Sequence, residues 1–377
     1  MVQSVFTLAA ASAFGLEGAV AGELKRLGMK NVHAENGVVL FSGNVQDAFL
    51  CNLSLRFSDR IYLLLAERKC DSFEALFQLV SSIPWEDYAG GKEAFNISAQ
   101  CARSRLMSPR DCQSITKKAI LERMKARKGC RVFPENGAPF PVHVSVHSDQ
   151  VRILLNLSGP SLSRRGYRTW NGEAPLRETL AAALVEFSPW RPGMPLYDPC
   201  CGTGTILIEA ALRQGHIAPG LNRSFSMEQF VFFPKADGER IREKLRADCQ
   251  FDRIHSIAGS DIDPEAVTLA LRHQNQAFRD SLIDFSVKPL QEVALTEEHG
   301  VFLCNPPYGE RLSDTEHCRK LYQELRRLQD RHPTWALCAI SSDPGFEKAF
   351  GRRADKRRRL YNGRLECQFY TYSAAVQ

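Results

Sequence analysis

The residues best suited to chemistry in this 377-residue chain are Asn305, Pro306, Pro307 and Tyr308. They follow an apolar stretch, Gly300–Cys304, that the pattern predicts to be a strand. An exocyclic amino nitrogen on a nucleobase is a poor nucleophile because its lone pair is delocalised into the ring. Accepting its two hydrogens, through the Asn305 side-chain oxygen and the Pro306 carbonyl, would turn the lone pair toward an electrophilic carbon. Tyr308 can stack on the ring and set its plane. The two prolines stiffen the loop so that both acceptors stay aimed. With a cationic sulfonium as the electrophile no strong general base is required, and proximity with in-line geometry supplies much of the effect.

A second constellation fits the partner of such a reaction. In Leu196-Tyr197-Asp198-Pro199-Cys200-Cys201-Gly202-Thr203-Gly204-Thr205 a strand ends, glycines turn the chain and an apolar helix begins. Gly202 and Gly204 permit close backbone approach to a ligand. The opening N–H groups of the helix suit the carboxylate of an amino-acid moiety, and Asp198 is placed to accept from its ammonium. The third glycine of a pyrophosphate fingerprint is missing, which argues against a dinucleotide. Further on, Gly259-Ser260-Asp261-Ile262-Asp263 ends the next predicted strand. Asp261 is expected to hold a ribose diol, with Asp263 beside it; the competing role for either is a helix N-cap before Pro264.

These motifs need elements to carry them. From about residue 173 predicted strands alternate with helices, as a parallel sheet requires: 195–197, 256–260, 285–287, 300–304 and 335–340, closed by a pair at 356–361 and 365–372. The first 165 residues read differently, as α+β with short antiparallel strands. Ser158–Gly172, polar and basic, makes a linker. The expected division is 1–60, 61–165 and 166–377, within the two or three domains that the length allows.

Charge is uneven. Residues 1–170 hold 22 Lys and Arg against 15 Asp and Glu, within a chain whose formal net charge is +6. A predicted helix at 109–128, begun by Ser108-Pro109 and stopped by Gly129, carries Lys117, Lys118, Arg123 and Lys125. With Arg165 and Arg168 of the linker these form the expected contacts to a phosphate backbone, against the alternative of a solvated helix face. The C-terminal cluster Arg352, Arg353, Lys356, Arg357, Arg358 and Arg359 has the same two readings. Twelve cysteines without a CxxC pair fit reduced thiols, no metal site and a cytoplasmic setting. No apolar run is long enough to cross a bilayer, and the N-terminal segment lacks the basic start of a signal peptide.

Together, DPCCGTGTILIEAA, GSDID and NPPYGERL resemble the motifs of class I methyltransferases that act on amino groups. The first half is similar to a ferredoxin-like segment followed by a THUMP domain, an RNA-binding module. SGPSLSRRGYR with APLRE, and YNGRLECQFYTY, resemble the connecting and closing segments of the RlmL-type guanine-N2 methyltransferases of bacterial large-subunit ribosomal RNA. That resemblance spans essentially the whole chain. It implies S-adenosylmethionine as cofactor, structured RNA, ribosomal RNA foremost, as partner, and methyl transfer to guanine N2. It assigns Asp198, Gly202 and Gly204 to the methionine part, Asp261 to the ribose, and Asn305 to Tyr308 to the base; Pro199, Thr203 and Asp263 are the further residues expected to line the cofactor. Pro175 and Glu178 would border the cofactor. Two departures stand out: a second methyltransferase domain found in fused members is not expected in this chain, and Pro289 falls near the place of an adenine-binding aspartate. Transfer RNA guanine N2, adenine N6 of RNA or DNA, and a non-catalytic RNA-binding scaffold are the alternatives.

Overall fold

The computed structural model describes residues 5–168, 176–308 and 312–375, with side chains of the last stretch from 316. Pro175, the linker's end at 169–172 and residues 309–311 of the NPPY segment lie outside the described residues.

The N-terminal half is built on one seven-stranded sheet. Its elements are β1 (Phe6–Ser12), α1 (Glu17–Arg26), β2 (Lys30–Glu35), β3 (Val38–Gly43), α2 (Val45–Ser54), β4 (Ser58–Lys69), α3 (Phe73–Ser82), α4 (Trp85–Tyr88), β5 (Ala94–Ala102), α5 (Pro109–Lys128), β6 (Pro139–His147) and β7 (Gln150–Asn156). The order is β2-β3-β1-β4-β7-β6-β5. β4 pairs with β1 on one side and β7 on the other, so the expected division at residue 60 falls inside a strand shared by both halves of the sheet. Two expectations need correction. β2 escapes the sequence reading because its residues are mostly exposed and polar, leaving no alternating apolar face. The strands are also not all antiparallel: β5 and β6 run parallel, joined by the crossover helix α5, which a tight hairpin could not achieve.

α5 begins and ends where the sequence indicates. The Ser108 hydroxyl accepts from the Asp111 N–H at 3.3 Å, Pro109 opens the helix, and Gly129 at φ 64° ends it. Cys112, Thr116, Ala119, Ile120 and Met124 recur at helical spacing and are buried. The basic residues therefore fall on the flanks and outer face.

The C-terminal half contains α6 (Glu178–Phe187), β8 (Leu196–Asp198), α7 (Thr205–Gln214), α8 (Lys235–Ala247), β9 (Ile257–Asp261), α9 (Pro264–Phe278), β10 (Asp284–Val287), β11 (Gly300–Cys304), α10 (Leu312–Arg331), β12 (Trp335–Ser341), α11 (Phe346–Phe350), β13 (Lys356–Asn362) and β14 (Leu365–Tyr372). Its sheet runs β10-β9-β8-β11-β12-β14-β13; the first five strands are parallel, and β14 pairs antiparallel with both neighbours. The chain winds outward from β8 to β10, then returns to β11 on the other side of β8. That reversal leaves a crevice at the carboxyl ends of β8 and β11, the preferred ligand position in an open α/β sheet.

The two halves are fastened together by polar contacts. Arg56 donates from Nη2 to the carbonyls of Leu212 (3.1 Å) and Ile217 (2.8 Å), and the Gly220 N–H donates to Leu53 O at 2.8 Å. The linker is held as well. Arg223 donates to the carbonyls of Ser158, Pro160, Ser161 and Arg164, fixing the path that leads to Arg168.

Candidate active site

Asp198 ends β8 and lies fully within the protein. Its Oδ1 accepts from the Cys200 N–H at 3.0 Å, so the carboxyl braces the glycine loop from behind. Burial pushes this carboxyl well above the usual carboxylate range, and the nearby Asp261 charge adds to the effect. A ligand ammonium beside it would favour the charged carboxylate and so oppose both influences. Pro199 follows at the turn, the Cys201 N–H donates to Ser260 O at 3.0 Å, and the Thr203 carbonyl accepts from the Nδ1 of His273 on α9 at 3.1 Å.

The two glycines differ in what they permit. A Cβ on Gly202 would meet nothing within 4 Å, so this position faces open space where a ligand can approach the backbone. Gly204, at φ 80°, caps α7, and a Cβ there would stand 2.8 Å from the Phe285 ring and 3.1 Å from Ala270 Cβ. Glycine at 204 is thus required by its left-handed backbone and by helix–sheet packing.

Asp261 joins the two loops of the crevice. Its Oδ2 accepts from the Gly202 N–H at 2.8 Å and its Oδ1 from the Asp263 N–H at 3.0 Å. In parallel register Asp198 lies beside Gly259, which puts Asp261 two residues beyond the end of β8, at the rim. Asp263 takes the capping role: its Oδ1 accepts from the Glu265 N–H at 2.9 Å, with Pro264 opening α9. Lys288 donates its N–H to Asp261 O at 3.0 Å, and Pro289 follows at the end of β10, on the same side of the sheet.

Across the crevice, Asn305 follows β11 directly, and Phe302 of that strand pairs with Tyr197 of β8. The Tyr308 hydroxyl donates to Asn305 Oδ1. Burial holds the Tyr308 phenol above its usual range, so it stays a donor. Tyr322 of α10, which the motif reading missed, donates from its hydroxyl to Pro307 O at 3.0 Å and packs against Phe346. No local pattern marks it; its role exists only because α10 folds back under the loop.

The expected phosphate contacts separate into two groups. Lys117 pairs with Glu135 at 2.9 Å, and Lys118 reaches Glu122 at 3.8 Å; both keep a large exposed fraction. Lys125 is half-buried on the same helix. Arg123 must be corrected. It grips Glu86 through Nε (2.8 Å) and Nη2 (2.7 Å) and gives Nη1 to Ser81 O, tying α5 to α4 and to the end of α3. Arg165 must be corrected too: its side chain is 2% exposed and paired with Glu209, so it reaches no phosphate. Arg168 is similarly withdrawn, with 8% of its side chain exposed, against Glu178 and the Thr205 hydroxyl. Sequence-local counting missed Glu86 and Glu135, which fold in from other elements. Of the C-terminal cluster, Arg352 pairs with Asp355, Arg357 with Glu347, and Arg358 lies over the Phe187 ring. Among the described residues no helix is long and apolar enough to cross a membrane, and no His, Cys, Asp and Glu group could hold a metal ion.

A parallel sheet with an antiparallel closing hairpin, a glycine loop, an acidic residue ending the second strand and an Asn-Pro-Pro-Tyr loop at the switch point define a class I methyltransferase. The open space at Gly202, the helix N-terminus of α7 and the Asp261 carboxylate at the rim fit S-adenosylmethionine, which supplies an activated methyl group on sulfur when bound. Comparison with known proteins agrees. Residues 165–371 match the RMKL-like methyltransferase domain, 7–62 the RlmL ferredoxin-like domain and 70–156 the THUMP domain. The chain belongs to the RMKL-like methyltransferase family, and its cofactor is S-adenosylmethionine. It is 37% identical, over 99% of its length and 97% of the relative's, to "Putative RNA methyltransferase YpsC" of Bacillus subtilis. It is 32% identical to ribosomal RNA large subunit methyltransferase K/L of Shewanella frigidimarina, covering 98% of this chain and 53% of that one, so it spans about half of that relative. The solved structure described as "SMU.472, a putative methyltransferase complexed with SAH" superposes with a TM-score of 0.93 at 37% identity over the full length of both chains.

Proposed function

We propose that the protein methylates the exocyclic N2 amino group of guanine in large-subunit ribosomal RNA. The observation that carries this reading is the placement of Asn305 and Tyr308 at the carboxyl end of β11, directly across the crevice from the glycine loop after β8. An amino group held by Asn305 Oδ1 and the Pro306 carbonyl then faces the cofactor's sulfonium, with Tyr308 against the plane of the base. Asp198 meets the methionyl ammonium, Asp261 the ribose diol, and Pro199, Gly202, Thr203 and Gly204 shape the path between them; Asp263 supports Asp261 through its N–H.

Support for RNA as the substrate comes from the THUMP match, from the names of the relatives, and from the exposed Lys117 and Lys118 on α5. Support for N2 over other amino positions comes from the RlmL-type motifs of the sequence. The test is nucleoside mass spectrometry of unmodified large-subunit ribosomal RNA after incubation with the protein and labelled S-adenosylmethionine. Labelled N2-methylguanosine is expected from the native chain and none from Asn305→Ala, while cofactor affinity stays nearly unchanged in that variant. Labelled N6-methyladenosine, or label only in transfer RNA, would replace the proposed substrate. Equal loss of turnover and cofactor binding in Asn305→Ala would mean that the loop is misassigned.

A further inference from the structure

The described structure places Arg168 where a cation needs an explanation. Its side chain is 8% exposed and lies against the first residue of α7, donating from Nη2 to the Thr205 hydroxyl and to Leu176 O at 3.1 Å. Among the described residues its Nε has no hydrogen-bond partner, and it stands 3.6 Å from Glu178 Oε1. A helix N-terminus carries a partial positive charge, so a buried guanidinium beside it is unfavourable unless an anion is close. Glu178 is one such anion, but burial pushes its carboxyl upward, with the Arg168 charge offsetting only part of that. Glu209 and Arg165, the other charges acting on Glu178, pair with each other. The weakened Glu178 carboxylate is thus the paired charge of this guanidinium and helix N-terminus, and a second negative charge would complete the balance.

The glycine loop delivers that charge. Gly202 opens onto free space, and α7 begins immediately after Gly204. A ligand whose amino-acid end reaches this helix brings its carboxylate next to Thr205, within the reach of a planar donor that is only partly satisfied. We propose that Arg168 anchors the methionyl carboxylate of the cofactor, together with the opening N–H groups of α7. Glu178 is then a positioning residue that keeps the guanidinium turned toward the helix start. Arg168 comes from the linker, so the segment that joins the RNA-binding half to the catalytic half also completes the cofactor site. This inference rests on the cofactor and is independent of which base is methylated.

Calorimetric binding of two ligands tests it. S-adenosylhomocysteine has the carboxylate; 5′-methylthioadenosine keeps the adenosine and sulfur but lacks the amino-acid end. Arg168→Gln is expected to weaken S-adenosylhomocysteine by roughly ten- to a hundredfold, the range for a charge-assisted hydrogen bond, and to leave 5′-methylthioadenosine within about twofold of the native value, with that twofold allowance equivalent to the ordinary scatter of surface changes. Arg168→Lys keeps the charge and should recover part of the loss. Parallel loss of both ligands would make Arg168 a prop for the helix, and unchanged binding of both would remove it from the site; either result overturns the proposal. If the glutamine variant does not fold, Arg168→Lys carries the same comparison: selective weakening of S-adenosylhomocysteine supports the anchor, and equal effects on both ligands refute it.

Discussion

Tyr308→Phe is expected to improve recognition of the target base, an outcome opposite to that of most substitutions in a catalytic motif. Without substrate the Tyr308 hydroxyl donates to Asn305 Oδ1, the oxygen that an incoming amino group requires. On the proposed function, base binding draws this oxygen toward the amino group at the expense of its bond to Tyr308. A net hydrogen bond of this kind is worth about 0.5–1.5 kcal/mol, equivalent to roughly two- to tenfold in an equilibrium constant. The Phe ring keeps the stacking face, so the expected change is a fall in KM for RNA of roughly that size, with kcat within about twofold, because the bond competes in the ground state only. Tyr308→Ala is the contrasting variant: it frees the same oxygen but removes the ring, and loss of base stacking costs about 1–3 kcal/mol. Steady-state transfer of tritiated methyl groups to a protein-free RNA transcript measures both parameters. A kcat for Tyr308→Phe reduced by about two orders of magnitude, equivalent to almost 3 kcal/mol of lost transition-state stabilisation, would refute the reasoning. The hydroxyl would then belong to the reacting arrangement, and its bond to Asn305 would persist in the complex.

Three other outcomes are open to measurement. Asp261→Asn replaces one of two carboxylate oxygens that accept backbone N–H groups by a donor, so the glycine loop loses a tether and the proposed ribose contact loses an acceptor. Cofactor affinity should fall by about 1.5–3 kcal/mol in calorimetry, and a 2′-deoxyribose analogue should lose less in the variant than in the native protein. Lys117→Glu with Lys118→Glu should weaken RNA binding and flatten its salt dependence, whereas Arg123→Glu should lower the melting temperature by breaking the clamp on Glu86; RNA affinity untouched by the lysine changes would leave α5 a solvated face. Glu23, buried at the junction of the two halves, has its carboxyl raised from 4.5 to about 7 by burial, with the Arg56 and Phe57 N–H groups opposing. The folded state therefore holds this proton more tightly, so the contribution is full below about pH 4.5 and is lost as pH rises to about 7. Native protein should lose on the order of 3 kcal/mol from this group over that window, and Glu23→Gln should remove that part of the slope in pH-dependent thermal unfolding.

The sequence was most legible where chemistry and backbone geometry coincide. Gly300–Cys304, the closing strand Leu365–Tyr372 and α5 with its Ser108 and Gly129 boundaries lie where their patterns put them. Short apolar runs buried on both faces, and caps with a definite hydrogen bond, are local signals. What failed was set by distant partners. Arg123, Arg165 and Arg168 look like a phosphate-binding set when charge is counted along the chain, but Glu86, Glu209 and Glu178 reach them through the fold. β2 was illegible because an edge strand with polar, exposed residues has no core face to announce it. Gly204 reads in sequence as a point of ligand approach, though its missing Cβ is explained by Phe285, far along the chain on β10.

The same distant pairing bears on how the two halves can communicate. Arg165 donates to Arg56 O and pairs with Glu209 of α7; Tyr167 donates to the same Glu209 at 3.1 Å; Arg168 then meets Thr205 at the start of that helix. Glu23 of α1 accepts from the Arg56 N–H at 3.0 Å, so the line begins in the N-terminal sheet and ends at the glycine loop. Glu23, Arg165, Tyr167 and Glu209 are buried and Arg56 and Arg168 half-buried, so an unpaired charge here costs more than a rearranged one. A shift of α1 or of the Arg56 loop on RNA binding would thus have to be absorbed within this network, and α7 is its far end. That is a mechanical reason to expect RNA and cofactor to influence one another's affinity, and linkage requires the influence to be equal in both directions. Calorimetric titration of S-adenosylhomocysteine with and without RNA gives the coupling; Arg165→Met, which removes the central charge, should reduce it. Identical affinities in the two titrations of the native protein would mean that the network is purely structural.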